Sequence, residues 1–350
     1  MSAARTAAGV LLALAATPLI AAGQERFTLA GERVIVFDLA GNVSVVAGTG
    51  SGVVVEVTRG GADAGQLKVE TGPYHSAEGL RVIFPGNRIV YPRERHQGNY
   101  RTEMRVRDDG SFGGMSDEGR RVTIQSSGDG LEGWADLRIL VPPGKRVSVN
   151  IGVGRLDATN VNGKLDLDTS SGDVSAEGIT GSLNIDSGSG EVRVTTVSGD
   201  LSIDTGSGNV GFSNATGDRI HVDTGSGDVT GTTMKATDLS VDTGSGNIEL
   251  HGVSATSLSL DTGSGDVEVD LLTDTDDISV DTGSGNVTIE VPANFGSAID
   301  IETSSGDVDT DLAIQVTRRS QERLVGRVGD GQGRLYVETG SGNVTLRGRR

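Results

Sequence analysis

The 350-residue chain has no cysteine, which removes disulfide frameworks and thiolate metal sites from consideration. Its four histidines, His75, His96, His221 and His251, are too far apart in sequence to form a His-x-x-His ligand pair. Aromatic residues make up only 3%, few for the core of a compact enzyme. Cations are outnumbered, with 30 Lys and Arg against 48 Asp and Glu, for a net charge of −18. Phosphate contacts need a basic face, so a nucleic-acid partner is excluded. Beyond the N-terminus, no apolar run reaches the roughly 20 residues of a membrane span.

The N-terminal run itself is short. Arg5 precedes the apolar stretch from Ala7 to Ala22, which closes on Ala21-Ala22-Gly23 before the polar Gln24-Glu25-Arg26. Residues 1–23 are therefore expected to be a bacterial secretory signal peptide. No cysteine follows for lipid attachment. The mature protein is expected to be soluble outside the cytoplasm, whether secreted, periplasmic or at the cell surface.

Glycine is abundant, at 54 residues, and it is periodic. Five copies of Asp-Thr-Gly-Ser-Gly start at Asp204, Asp223, Asp242, Asp261 and Asp281. Variants start at Asp168, Asp186, Glu302 and Glu338, and a degenerate copy at Asn150. After Gly154, the last glycines of the copies are Gly172, Gly190, Gly208, Gly227, Gly246, Gly265, Gly285, Gly306 and Gly342. The steps are 18, 18, 18, 19, 19, 19, 20, 21 and 36 residues, and the last reads as a unit replaced by other sequence. A near-constant step is one structural unit stacked many times.

Apolar and polar residues alternate on both sides of each turn, as in Leu201-Ser-Ile203 before it and Val210-Gly-Phe212 after it. That is the period of a strand with one buried face. A unit is then strand, Gly-Ser-Gly turn, strand and a second, variable turn. The expected fold is all-β: a parallel β-solenoid or β-helix-like superhelix of two sheets, with about 18–21 residues per rung. A three-sided coil is the alternative.

Residues 24–146 show the same alternation with weaker turns and are expected to form N-terminal β rungs; residues 147–350 form the Gly-Ser-Gly solenoid. One stretch departs from the pattern. Arg88, Arg93, Arg95, Arg101, Arg105 and Arg107, interleaved with Tyr91 and Tyr100, mark a basic insertion loop at about 86–121. It reads as a solvated insertion or as a basic contact loop on an acidic body.

Several motifs imitate active sites. Asp-Thr-Gly-Ser resembles the aspartic-protease motif, but that chemistry needs two aspartates facing each other, whereas these recur at every rung. Gly48-Thr-Gly50-Ser-Gly52 lacks a following Lys-Ser/Thr and helix, so it reads as a turn. Asp and Asn alternate after the motif, through Asn209, Asp228, Asn247, Asp266, Asn286 and Asp307. Asp228, Asp266 and Asp307 are weak metal candidates, and a calcium-binding β-roll is the rival fold. Alternation halves the repulsion of a like-charge column, which favours a structural role. His221 occupies an outward slot, and Trp134, the single tryptophan, reads as a core plug. No catalytic constellation and no cofactor site are found, so the chain reads as a non-enzyme.

The Gly-Ser-Gly-Asp/Asn-Val turns, the lead-in Ala135-Asp-Leu-Arg-Ile-Leu-Val-Pro-Pro-Gly144 and the closing Thr339-Gly-Ser-Gly-Asn-Val-Thr-Leu346 resemble the bacterial putative-adhesin family, a domain of unknown function. The resemblance implies a two-sheet β superhelix and an adhesion role, with no catalytic residues to carry over. The expected function is an exported structural and binding module for a cell-surface glycan, a protein or its own copies. A glycan-active β-helix enzyme and an envelope scaffold are the other readings.

Overall fold

A computed structural model describes residues 24–95, 99–113 and 118–349. The expected signal peptide, residues 1–23, lies outside the described residues. The chain is a β-solenoid. Leu201–Thr205 pairs in parallel with Leu183–Ser187 on one side and Arg219–Thr224 on the other. Val210–Thr216 pairs likewise with Val192–Ser198 and Val229–Thr243. Two parallel ladders, one entering and one leaving the Gly-Ser-Gly turn, thus run the length of the repeat.

The register puts like on like. Leu201 sits between Leu183 and Ile220, and Ile203 between Ile185 and Val222. All six are buried. Removing each such side chain from water contributes about 1.5–3 kcal/mol, which an isolated rung could not gain. The scarcity of aromatics follows, because columns at strand spacing suit aliphatic side chains. The exception is Phe212, whose register partner is Gly231. A Cβ on Gly231 would meet the Phe212 ring at 2.8 Å, so the ring fills the space that the glycine leaves.

From the turn at Asp223 onward, three elements fix the turns. The last glycine lies against the one before it: a Cβ on Gly246, at φ 154°, would sit 2.1 Å from the Gly227 carbonyl oxygen. No side chain fits there. The Thr of the motif points inward, and Thr262 and Thr282 donate to the carbonyls of Gly246 and Gly265 at 3.0 and 3.1 Å. The residue after the motif reaches across rungs. Asn209 Oδ1 accepts the Asp228 amide at 3.0 Å, and Asp228 Oδ1 accepts that of Asn247 at 2.9 Å.

The leaving run is not straight. Asn160, Gly178, Thr196, Asn214, Thr233 and Gly252 occupy equivalent positions and all have φ between 53° and 73°. The bend adds a short third facet to the two long ladders.

Both ends depart from simple stacking. Arg33–Ala40 and Val43–Ala47 form a rung against Lys145–Val153 and Leu156–Thr159. Beyond it lies a mixed sheet, in which Ala77–Ile83 and Trp134–Val141 continue in parallel. Lys68–Tyr74, Val53–Gly60 and Gln24–Leu29 then add antiparallel pairings. The segment expected as a basic loop carries strands: Arg88–Val90 and Arg101–Val106 pair with Arg120–Gln125 in a small separate sheet. This sheet covers Lys145–Val153, whose last five residues are all buried. Met104 and Ile124 approach Gly152 there.

At the other end, the order in space differs from the order in sequence. Gly333–Thr339 pairs with Asp277–Thr282 on one side and Ser297–Thr303 on the other. The last repeat in the chain is therefore the penultimate rung. The 36-residue step holds a hairpin, Ile314–Arg319 with Arg323–Val328, which pairs antiparallel to Ser297–Thr303 and covers the terminal rung.

Candidate binding surface

The outward face of the entering ladder carries a column of acids. Asp168, Asp186, Asp204, Asp223, Asp242 and Asp261 are register partners in succession, followed by Asp281, Glu338 and Glu302. A second outward column beside it runs through Ser202, His221, Ser240, Ser259 and Ser279 to Tyr336. His221 is thus a face residue.

Like charges at strand spacing raise one another's pKa. Burial, then Asp186, pushes Asp168 up to about 6. Burial, then Asp261 and Asp223, raises Asp242. Burial, then Asp261 and Glu338, raises Asp281. Both ends of the column are closed. Gly113 of the small sheet's loop lies near Asp168. At the far end, Arg323 grips Asp300 through Nε at 3.1 Å and Nη2 at 2.9 Å, and reaches Glu302 at 2.6 Å. The column stands open between these covers.

The weak metal candidates are not brought together. Asn247 stands between Asp228 and Asp266, and Asn286 and Asn343 stand between Asp266 and Asp307. The strict alternation seen in sequence is broken by the inserted Asn343. Asp266 Oδ1 accepts the Asn286 amide at 2.7 Å, and Asp307 Oδ1 accepts from Gln321 at 2.9 Å. Among the described residues, no group of three or more His, Cys, Asp or Glu is arranged to hold a metal ion.

The variable turns form a groove of about 740 Å³ on the opposite corner. Its floor is the backbone of Gly181, Gly199 and Gly217. A Cβ on Gly199 would fall 2.0 Å from the Gly181 carbonyl oxygen, so these turns also stack without side chains. Ser182, Ser198, Thr216, Thr237 and Thr256 supply hydroxyls, and Lys164, Lys235, Asp200 and Asp218 supply charge. This second glycine column is not among the turns expected from the sequence. Its signal was present, because Gly163, Gly181, Gly199 and Gly217 recur every 18 residues.

The single tryptophan serves the N-terminal cap. Arg95 lies 4.8 Å over the Trp134 ring, and Tyr91 packs edge-on to Trp134 at 6.2 Å. Arg95 Nη2 binds both Asp136 oxygens, at 2.5 and 2.6 Å. Asp38, deeper in the same cap, is fully buried, and no side chain hydrogen-bonds its carboxyl. Burial holds its pKa well above the ordinary value against the lowering pull of the Ala40 and Leu39 backbone amides, and Asp136 adds to the rise.

None of the curated proteins compared matches this chain. A solved structure described as a putative cell adhesion protein from Clostridium sporogenes is 9% identical, covering 93% of this chain and 99% of that one, with a TM-score of 0.21. A family model does match, over the rungs whose turns are described above. Residues 181–347 match the Toastrack DUF4097 family, in agreement with the resemblance carried by the Gly-Ser-Gly-Asp/Asn turns.

Proposed function

We propose that this protein is an exported, non-enzymatic structural and binding module that presents its repetitive polar surface to a cell-surface glycan. Export rests on the signal-peptide layout of residues 1–23. The observation that carries the binding reading is the groove between Lys164 and Thr256. Its glycine floor exposes backbone, and its hydroxyls and charges recur from rung to rung. A chain of sugars offers hydroxyl groups at a matching repetition, and a polar, open groove suits hydrogen bonding better than apolar anchoring.

The test is titration of neutral oligosaccharides into purified protein, followed by calorimetry. Thr216→Ala combined with Asp200→Ala should weaken binding by about tenfold, the loss of one or two hydrogen bonds. Equal binding by the double variant, or none by the parent, defeats the glycan reading. Release of new reducing ends from any polysaccharide would overturn the non-enzymatic reading.

A further inference from the structure

A second cleft, of about 500 Å³, lies at the N-terminal end, away from the groove. Its lining includes Tyr74, His75, Arg81, Arg107 and Ser111, with two carboxylates, Asp109 and Glu118. Tyr74 and His75 stand where Lys68–Tyr74 turns into Ala77–Ile83, the strand that carries Arg81. Arg107, Asp109 and Ser111 follow the strand Arg101–Val106 of the small sheet. Two separate layers therefore converge on one cleft.

Two arginines and two carboxylates line it, yet Arg81 is poorly satisfied. The Arg81 side chain is 12% exposed. Its Nη1 lies 3.5 Å from Asp109 Oδ2, and its buried Nε has no hydrogen-bond partner. A guanidinium has five donors, and taking it out of water with so few acceptors is costly. Asp109 is committed elsewhere: its Oδ1 accepts from the Ser111 amide at 3.0 Å and the Ser111 hydroxyl at 2.7 Å. Arg107 stands on the same side, anchored by donation to the Gly113 carbonyl at 3.0 Å and Ser111 Oγ at 3.4 Å. Burial raises the Asp109 pKa, but Ser111, Arg81 and Arg107 together bring it below the ordinary value. Both arginines thus act on one carboxylate.

We propose that Arg81 and Arg107 form an anion subsite for the carboxylate of an acidic sugar, with Asp109 as its built-in occupant. Arginine pairs bind carboxylates through parallel, charge-assisted hydrogen bonds. The Tyr74 ring sets the rest of the choice. It is held edge-on to Phe37 at 5.0 Å and to His75 at 4.7 Å. A fixed ring beside a carboxylate clamp suits the rigid pyranose ring of a uronate better than a flexible acidic side chain. This rests on the glycan reading but concerns a different site.

The experiment compares a galacturonate trisaccharide, a neutral trisaccharide of equal length and poly-glutamate by calorimetry, with melting curves as a check on folding. The uronate should bind most tightly. Arg81→Gln and Arg107→Gln should each weaken uronate binding by about tenfold or more and leave neutral-sugar binding at the groove unchanged. Asp109→Asn should tighten uronate binding, since it removes the internal competitor; a merely structural ion pair would show no such gain. Arg105→Gln, whose Nη1 is held by the Gly119 carbonyl outside the cleft, should have no effect. Tightest binding of poly-glutamate makes the site a peptide site and overturns the proposal. So does neutral-sugar binding without preference for the uronate, which leaves the groove reading intact. Absence of all binding defeats both.

Discussion

Thr243 donates its hydroxyl to the carbonyl of Gly227, one rung earlier in the stack, at 3.2 Å. The side chain is fully buried, so this bond replaces one to water. Thr243→Val keeps the shape and leaves the carbonyl without that donor. The expected loss is about 1–3 kcal/mol, measured by chemical denaturation. Ser245→Ala, in the exposed middle of the same turn, should change stability by less than about 0.5 kcal/mol. Equal effects of the two would mean the hydroxyl is idle.

The order of the last rungs is open to a direct check, because the chain has no cysteine of its own. Ser279 is the register partner of Tyr336, and Tyr336 that of Asp300. Adjacent strands lie about 4.8 Å apart and alternate ones about 9.6 Å. A disulfide spans Cα atoms up to about 7 Å apart. S279C with Y336C should therefore cross-link on oxidation, and S279C with D300C should not. The opposite pattern would restore stacking in chain order.

Asp38 predicts a pH dependence with a definite sign. In the unfolded chain an aspartate ionises near pH 4. In the folded chain burial keeps Asp38 protonated to higher pH. The folded state then binds the proton more tightly, so stability falls as pH rises through and above the unfolded pKa. Asp38→Asn removes this slope. The variant should be more stable than the parent at pH 7.5, and its advantage should shrink toward pH 4. A constant difference between the two proteins across that range would show that Asp38 does not titrate as its burial requires.

Thr233 has φ 59°, a region that β-branched residues rarely enter. Equivalent positions in neighbouring rungs hold Asn214 and Gly252, which tolerate it. Thr233→Asn should raise stability by about 1 kcal/mol, seen as a higher melting temperature. A lower one would show that the Thr233 side chain makes compensating contacts.

What was legible in the sequence is what repeats locally. The glycines of the turn and the alternating Leu, Ile and Val carry the rung, its length and its buried face, because both depend on near neighbours. The relation of rungs to one another was harder to read. Nothing in Glu338-Thr-Gly-Ser-Gly342 marks it as lying before Glu302-Thr-Ser-Ser-Gly306 in the stack, since both would fit either slot. The inward Thr was hidden because a hydroxyl residue beside a turn normally reads as exposed. The insertion between 86 and 121 looked like a loop because charge masked its alternation: Thr102, Met104 and Val106 alternate with Arg101, Glu103 and Arg105. The proposed anion cleft joins Tyr74 and Arg81 to Arg107, Asp109 and Glu118, a proximity that no spacing encodes.

The pairing of Phe212 with Gly231 has a consequence for how such an array changes length. Rungs with aliphatic neighbours on both sides are interchangeable modules, so one can be duplicated or lost without a mismatch. The unit around Phe212 is not. A copy inserted between Phe212 and Gly231 would place a β-carbon against the ring unless it carried the same glycine. Growth and shrinkage of this solenoid are therefore permitted at some joints and forbidden at that one.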